Sequence, residues 1–164
     1  MFREMRRKNQ YIPEEECIEI LKNASNGIMA VSGDDDYPYA VPLNYVYDEG
    51  KIIFHCAKTG HKIDAIKNND KVCFTVIGAD KVVPELYATN YKSVVAFGRA
   101  KIVEDTDEKI KFTKLIAQKY RPGFEEEMQR EIDSELPALC VICIEIEHMT
   151  GKESKFLAME RNKE

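Results

Sequence analysis

The chain has 164 residues, 44% of them hydrophobic, and 24 Lys+Arg against 29 Asp+Glu give a formal net charge of −5. Charged or polar residues interrupt every apolar run well short of the roughly 20 residues needed to cross a bilayer, and the acidic balance with no basic block argues against a phosphate-backbone binder, leaving nucleic acid a minor alternative. The N-terminal MFREMRRKNQ carries basic residues with no apolar stretch behind them, so it is not read as a secretory signal and a cytoplasmic location is expected.

The length suits a single domain over residues 1–164. Pro13-Glu14-Glu15-Glu16 marks a helix start, with Cys17, Ile20 and Leu21 at i, i+3, i+4 spacing. From Gly27 the pattern changes to strands: GIMAVSG, a turn at Asp34-Asp35-Asp36, YAVPLNYVY, a turn at Asp48-Glu49-Gly50, and KIIFHC. These three strands read as an antiparallel meander. HKIDAIKNN follows as a crossover helix with Ile63 and Ile66 on one face, then KVCFTVI as a strand. Residues Gly78 to Lys92 have no clear period and contain Pro84, so they read as an irregular excursion before SVVAFGRAKIV resumes the sheet.

Thr106-Asp107-Glu108 opens a helix with an apolar stripe of Phe112, Leu115, Ile116 and Tyr120, stopped by Arg121-Pro122-Gly123. A short acidic helix, FEEEMQREI, comes next. ALCVICIEIEHM is the last strong strand, with Cys140, Ile142, Ile144 and Ile146 facing a core and Val141, Cys143, Glu145 and Glu147 on a face at least partly wet. About six strands with few helices predict a mainly β fold with α: a small closed or partly closed antiparallel barrel. The five cysteines read as reduced thiols, and the CxxC spacing of Cys140 and Cys143 puts them on opposite faces of a strand, against joint metal or redox use.

Chemistry concentrates in Phe54-His55-Cys56-Ala57-Lys58-Thr59-Gly60-His61-Lys62. A helix N-terminus favours anions, yet His61 and Lys62 stand where acids are expected. With the Thr59 hydroxyl and the Gly60 amide they form either a phosphate cradle or a solvated turn with an ordinary lysine. His55, facing away from Phe54 and Cys56, is either a ligand-contacting imidazole or a structural residue of the strand. His148 is either a second polar edge of the same site or the chain's exit from the last strand, with the exit favoured. Asp34-Asp35-Asp36 reads as a hairpin turn and not a metal site, and the hydrolase elbow, Walker loop, GxGxxG and zincin motifs are absent.

The run Pro38 to Tyr45, then Ile53-Phe54-His55-Cys56-Ala57, then Gly60 to Val72, followed by Tyr91-Lys92-Ser93-Val94, Gly98 and Thr150-Gly151-Lys152, resembles the flavin-binding split-barrel superfamily of pyridoxamine 5′-phosphate oxidase, closest to its nitroimidazole-resistance branch. The resemblance implies a split antiparallel β-barrel, Greek-key-like with flanking helices, and a homodimer with FMN at the subunit interface. Carried over by position, Pro42, Leu43, Asn44 and Tyr45 would line the flavin ring through their backbone, His55 and Cys56 would lie near the ribityl chain or the substrate side, and Ser93 would reach the cofactor from the next hairpin. His61 and Lys62, beside Thr59, would hold the 5′-phosphate.

Where the oxidases carry a basic residue at the start of the flavin-lining strand and arginines near the C-terminus, this chain has Ala40 and His148-Met149-Thr150-Gly151-Lys152, which argues against oxidation of pyridoxamine phosphate. The branch implies an FMN-dependent reductase passing electrons from NAD(P)H to a small acceptor such as a 5-nitroimidazole, with His55 contacting the acceptor and donating a proton. The alternatives are a non-catalytic flavin- or haem-binding module on the same barrel and a barrel without ligand.

Overall fold

The computed structural model describes residues 2–163, which fold into eight strands and five α-helices. The elements are β1 (Tyr11–Ile12), α1 (Glu14–Asn23), β2 (Asn26–Ser32), β3 (Pro38–Asn44), β4 (Val46–Asp48), β5 (Lys51–Ala57), α2 (His61–Asn68), β6 (Lys71–Val83), β7 (Ala88–Ile102), α3 (Thr106–Tyr120), α4 (Glu125–Glu135), β8 (Leu139–Glu153) and α5 (Lys155–Arg161). Among the described residues no helix is long and apolar enough to cross a membrane.

All strand pairs are antiparallel, in the order β3-β2-β6-β7-β8-β5-β4, with β1 added to the far end of β8. β3 and β4 are the two ends of this order, yet a single residue, Tyr45, separates them in the chain. The sheet therefore curls until its ends meet, and no ladder joins β3 to β4. The result is a barrel with one seam left open, the split barrel expected from the sequence.

The expected meander is corrected here. β2–β3 and β4–β5 are hairpins, but they belong to opposite ends of the sheet, because the chain breaks at Tyr45. The Tyr45 side chain is fully buried, its hydroxyl donates to the Leu21 carbonyl at 2.7 Å, and its ring stands edge-on to Phe74 at 5.0 Å. A phenol this deep in the core holds its proton well above the usual range, chiefly through burial. The Tyr120 hydroxyl at the end of α3 secures the break from outside. It accepts from the Tyr45 N–H at 2.9 Å and lies 2.6 Å from the Ser25 carbonyl and 2.8 Å from that of Tyr45.

Two apolar cores result. Inside the barrel, Met29, Phe54, Phe74, Val76, Ile142 and Ile144 pack with Cys17 and Leu21 of α1, which caps one end. Outside it, Phe112 and Ile116 of α3 cover Ile53, Val141 and Cys143. The second face of β8 is thus dry over its first half and turns wet only at Glu145 and Glu147. The sequence pattern shows the two faces but not the helix that covers one of them.

Three further expectations change. Residues 78–92 are not irregular: β6 and β7 continue as a two-stranded ribbon past a bulge between Ile77 and Ala79, turning at Pro84–Leu86 with Tyr87 in the left-handed region. Backbone pairing holds this ribbon although its side chains, largely exposed, show no alternation. His148 is not a chain exit, since β8 runs on to Glu153 and α5 follows. The His148 ring stacks on Phe2 at 4.7 Å. The strand count rises from about six to eight, because Tyr45 divides one run and Tyr11–Ile12 adds a short pair.

Among the described residues no helix covers the outer face of β3, β2, β6 and β7. Its side chains form two cross-strand rows without a charge, Pro42-Ile28-Thr75-Val95 and Ala40-Ala30-Cys73-Phe97, with Ile77 57% exposed beside them. Phe2 covers one corner, stacked on Phe97 at 5.4 Å.

Replacing Tyr120 by Phe removes the hydroxyl and leaves the buried Tyr45 N–H without its partner. Urea unfolding is expected to show a loss of about 1–3 kcal/mol; an unchanged midpoint would show that the hydroxyl does not secure the break.

Candidate functional site

The end of β5, the loop 57–60 and the first turn of α2 form one continuous feature. Gly60 precedes the helix at φ +127°, ψ 167°, a conformation open only to glycine, and a Cβ there would meet no atom within 4 Å. The backbone geometry, and not crowding, demands glycine. The Gly60 carbonyl accepts from the N–H groups of Ile63 and Asp64 at 2.9 and 3.2 Å. Gly60 has no side chain to cap the helix, so the His61 and Lys62 N–H groups have no partner among the described residues, with Thr59 exposed beside them.

The two basic side chains of this turn differ. The His61 ring stacks on Tyr39 of β3 at 4.2 Å, and its Nε2 faces the β2–β3 turn, 3.4 Å from the Asp34 N–H and 3.7 Å from the Asp34 carboxylate. Lys62 is half-buried and has no ion-pair partner among the described residues. A cation in the first turn of a helix, near its positive end and uncompensated, is destabilising unless an anion joins it. Thr59, Gly60 and Lys62 therefore fit a phosphate group, with His61 as a wall tied to the neighbouring turn.

β3 runs from this wall as an edge strand, hydrogen-bonded only to β2. Pro42 and Asn44 are exposed, Leu43 leans on the barrel core, and Tyr45 is committed to it. The backbone edge of Pro42 to Asn44 away from β2 is left without a strand partner among the described residues.

His55 and Cys56, adjacent on β5, point to opposite sides of the sheet. Cys56 faces inward, opposite Cys140. Burial, then the neighbouring Cys140 thiol, pushes Cys56 up to about 11 against the pull of Lys62. His55 faces outward into a cavity of about 250 Å³ beneath α3 and α4, walled by Ala117, Phe124, Met128, Ile132 and Leu139. Desolvation there lowers its pKa below the ordinary 6.5, so the ring is neutral at pH 7. At the mouth Arg121 is held by Glu127 at 2.7 Å.

The structure thus brings Thr59, Gly60, His61, Lys62 and Cys56 together and sets β3 beside them. It does not bring Ser93 there within one chain. Ser93 lies on the uncovered outer face, paired with Ile77 and Lys152, three strands and about 14 Å of sheet from β3. Sequence reasoning missed Tyr39, Cys140 and the α3–α4 walls, which meet the site only through strand register and helix packing.

The sequence from 13 to 153 matches the pyridoxamine 5′-phosphate oxidase family, and the chain belongs to it. Solved structures share its split-barrel fold. A candidate 5-nitroimidazole antibiotic resistance protein of Bacteroides thetaiotaomicron is 22% identical, with 87% of this chain and 86% of that one covered and a TM-score of 0.72. A conserved hypothetical protein of Mycobacterium tuberculosis is 17% identical over 94% of this chain and 92% of its own, at 0.81. An FAD and heme binding protein of Mycobacterium smegmatis is 18% identical over 90% and 74%, at 0.78. No curated protein matches the sequence.

Because the space around Gly60 is open, Gly60→Ala tests backbone conformation alone. A stability loss of about 1–3 kcal/mol is expected in chemical denaturation. No loss would mean that the loop reaches the helix by another conformation.

Proposed function

We propose that the chain binds FMN and acts as an oxidoreductase, passing electrons from NAD(P)H to a small acceptor such as a 5-nitroimidazole. The observation that carries this reading is Lys62: an unpaired cation in the first turn of α2, behind a glycine-only backbone and beside a free strand edge. Lys62, Thr59 and the first-turn amides would hold the 5′-phosphate, and the backbone of Pro42 to Asn44 would run along the ring. When bound, the flavin supplies two-electron transfer chemistry. The family match and the flavin- and haem-binding neighbours support a cofactor of this class.

The uncovered rows from β3 to β7 support a homodimer with the cofactor at its interface. An apolar sheet face of this kind, with Ile28 40% and Ile77 57% exposed, is costly to leave in water. A second copy packed there brings its own Ser93 face against the first, which is how Ser93 would reach a site too distant within its own chain. His55 takes the acceptor side: a neutral imidazole on the wall of an apolar cavity can hold and hand over one proton.

Two variants separate these roles. Lys62→Ala is expected to weaken FMN binding by about 1.5–3 kcal/mol, read by fluorescence titration, through loss of a charge-assisted phosphate contact; unchanged affinity removes Lys62 from the site. His55→Ala is expected to retain FMN and lose about 100-fold in acceptor turnover. Because burial lowers its pKa, the protonated ring appears only below 6.5, so wild-type turnover should rise as pH falls through that region and the rise should vanish in the variant. Normal turnover or an unaltered pH profile in His55→Ala overturns the assignment.

A further inference from the structure

In the ladder between β5 and β8, Cys56 stands directly opposite Cys140. Directly opposed residues of antiparallel strands have Cα atoms about 4.5–5.5 Å apart, within the roughly 4.4–6.8 Å that a disulfide spans. Side-chain rotation suffices to bring the two sulfurs together. Cys140 is 4% exposed, whereas Cys56 is half-buried at the end of its strand; burial and the Cys140 thiol beside it hold the Cys56 proton up at about 11 against the pull of Lys62, so the exchange runs through a minor thiolate population and quickens at alkaline pH.

The remaining cysteines have no such neighbour. Cys17 sits on α1 with its Sγ 3.5 Å from the Ile12 carbonyl. Cys143 is opposite Ile53 and Lys101, and Cys73 is opposite Ala30 and Phe97. All five are unbridged. The CxxC spacing of Cys140 and Cys143 is therefore misleading: the partner of Cys140 lies 84 residues upstream, at Cys56.

We propose that Cys56 and Cys140 are a redox-active thiol pair, closing to a cross-strand disulfide on reaction with a small disulfide such as oxidised glutathione. Cys56, the accessible member, attacks as thiolate; the glutathione S–S bond breaks, one glutathione leaves as thiolate, and a mixed disulfide forms on Cys56. Cys140, losing its proton, then attacks Sγ of Cys56 and expels the second glutathione. The protein dithiol is oxidised by two electrons and one oxidised glutathione is reduced to two thiols. The bridge fixes the strand end from which the loop 57–60 leads to the first turn of α2.

The test uses the full-length protein, incubated with excess oxidised glutathione, quenched with N-ethylmaleimide under denaturing conditions and digested without reduction for mass spectrometry. The expected map contains a Cys56–Cys140 linked peptide and alkylated Cys17, Cys73 and Cys143, with the link lost after dithiothreitol. In Cys140→Ser the reaction is expected to stop at a glutathione adduct on Cys56. Alkylation of all five cysteines, a persistent adduct on wild-type Cys56 without the linked peptide, or linkage between other cysteines overturns the proposal. The wild-type map decides the matter if the variant does not fold.

Discussion

Tyr45 is the residue on which the architecture depends. A chain running from β3 to β4 without a break would pair both with the same neighbours and leave a flat meander with two open edges. One residue with its side chain turned fully into the core, anchored by its hydroxyl to α1 and by its backbone to Tyr120 of α3, redirects the chain between the two ends of the sheet. The Lys119 ammonium, 4.2 Å from the Tyr45 ring centre and donating to the Ala24 carbonyl at 2.7 Å, ties the same helix to the same point. Barrel closure, the open seam and the placement of α3 follow from this one cluster.

The seam and the helix then define the two sides of β5. Inward and at its end lie Cys56 and the turn into α2. Outward lies His55, under the helical pair whose first member ends at Tyr120. The strand alternation that separates them by one residue gives one element an inward thiol beside the turn into α2 and an outward imidazole against the α3–α4 cavity. On the far side of the barrel, the rows without charge from β3 to β7 are bordered by ion pairs, with Arg99 held by Asp70 and Glu147 at 2.9 Å each.

Much of this was legible in the sequence because local rules dominate it. Helix starts at Glu14 and Thr106, the crossover helix with Ile63 and Ile66, and the glycine and cations at 60–62 are each specified within a few residues. The break at Tyr45 was not legible, since Asn44-Tyr45-Val46 alternates as an unbroken strand does; only the packing of α1 and α3 decides it. The ribbon from 78 to 92 was missed for the opposite reason: an exposed hairpin has no buried face to impose a period on its side chains. Within the candidate site, residues 59–62 are contiguous and their grouping could be read directly. Tyr39 against His61 and Cys140 against Cys56 are set by register and crossover geometry, which composition and spacing do not encode.

The most direct measurement is the absorption spectrum of the purified protein before and after addition of FMN, with chromatographic identification of any chromophore released by heat. The account predicts an oxidised-flavin spectrum and FMN in the supernatant, or stoichiometric uptake of added FMN by a protein purified without it. A colourless protein that takes up no FMN, or a haem spectrum in place of a flavin one, would contradict it.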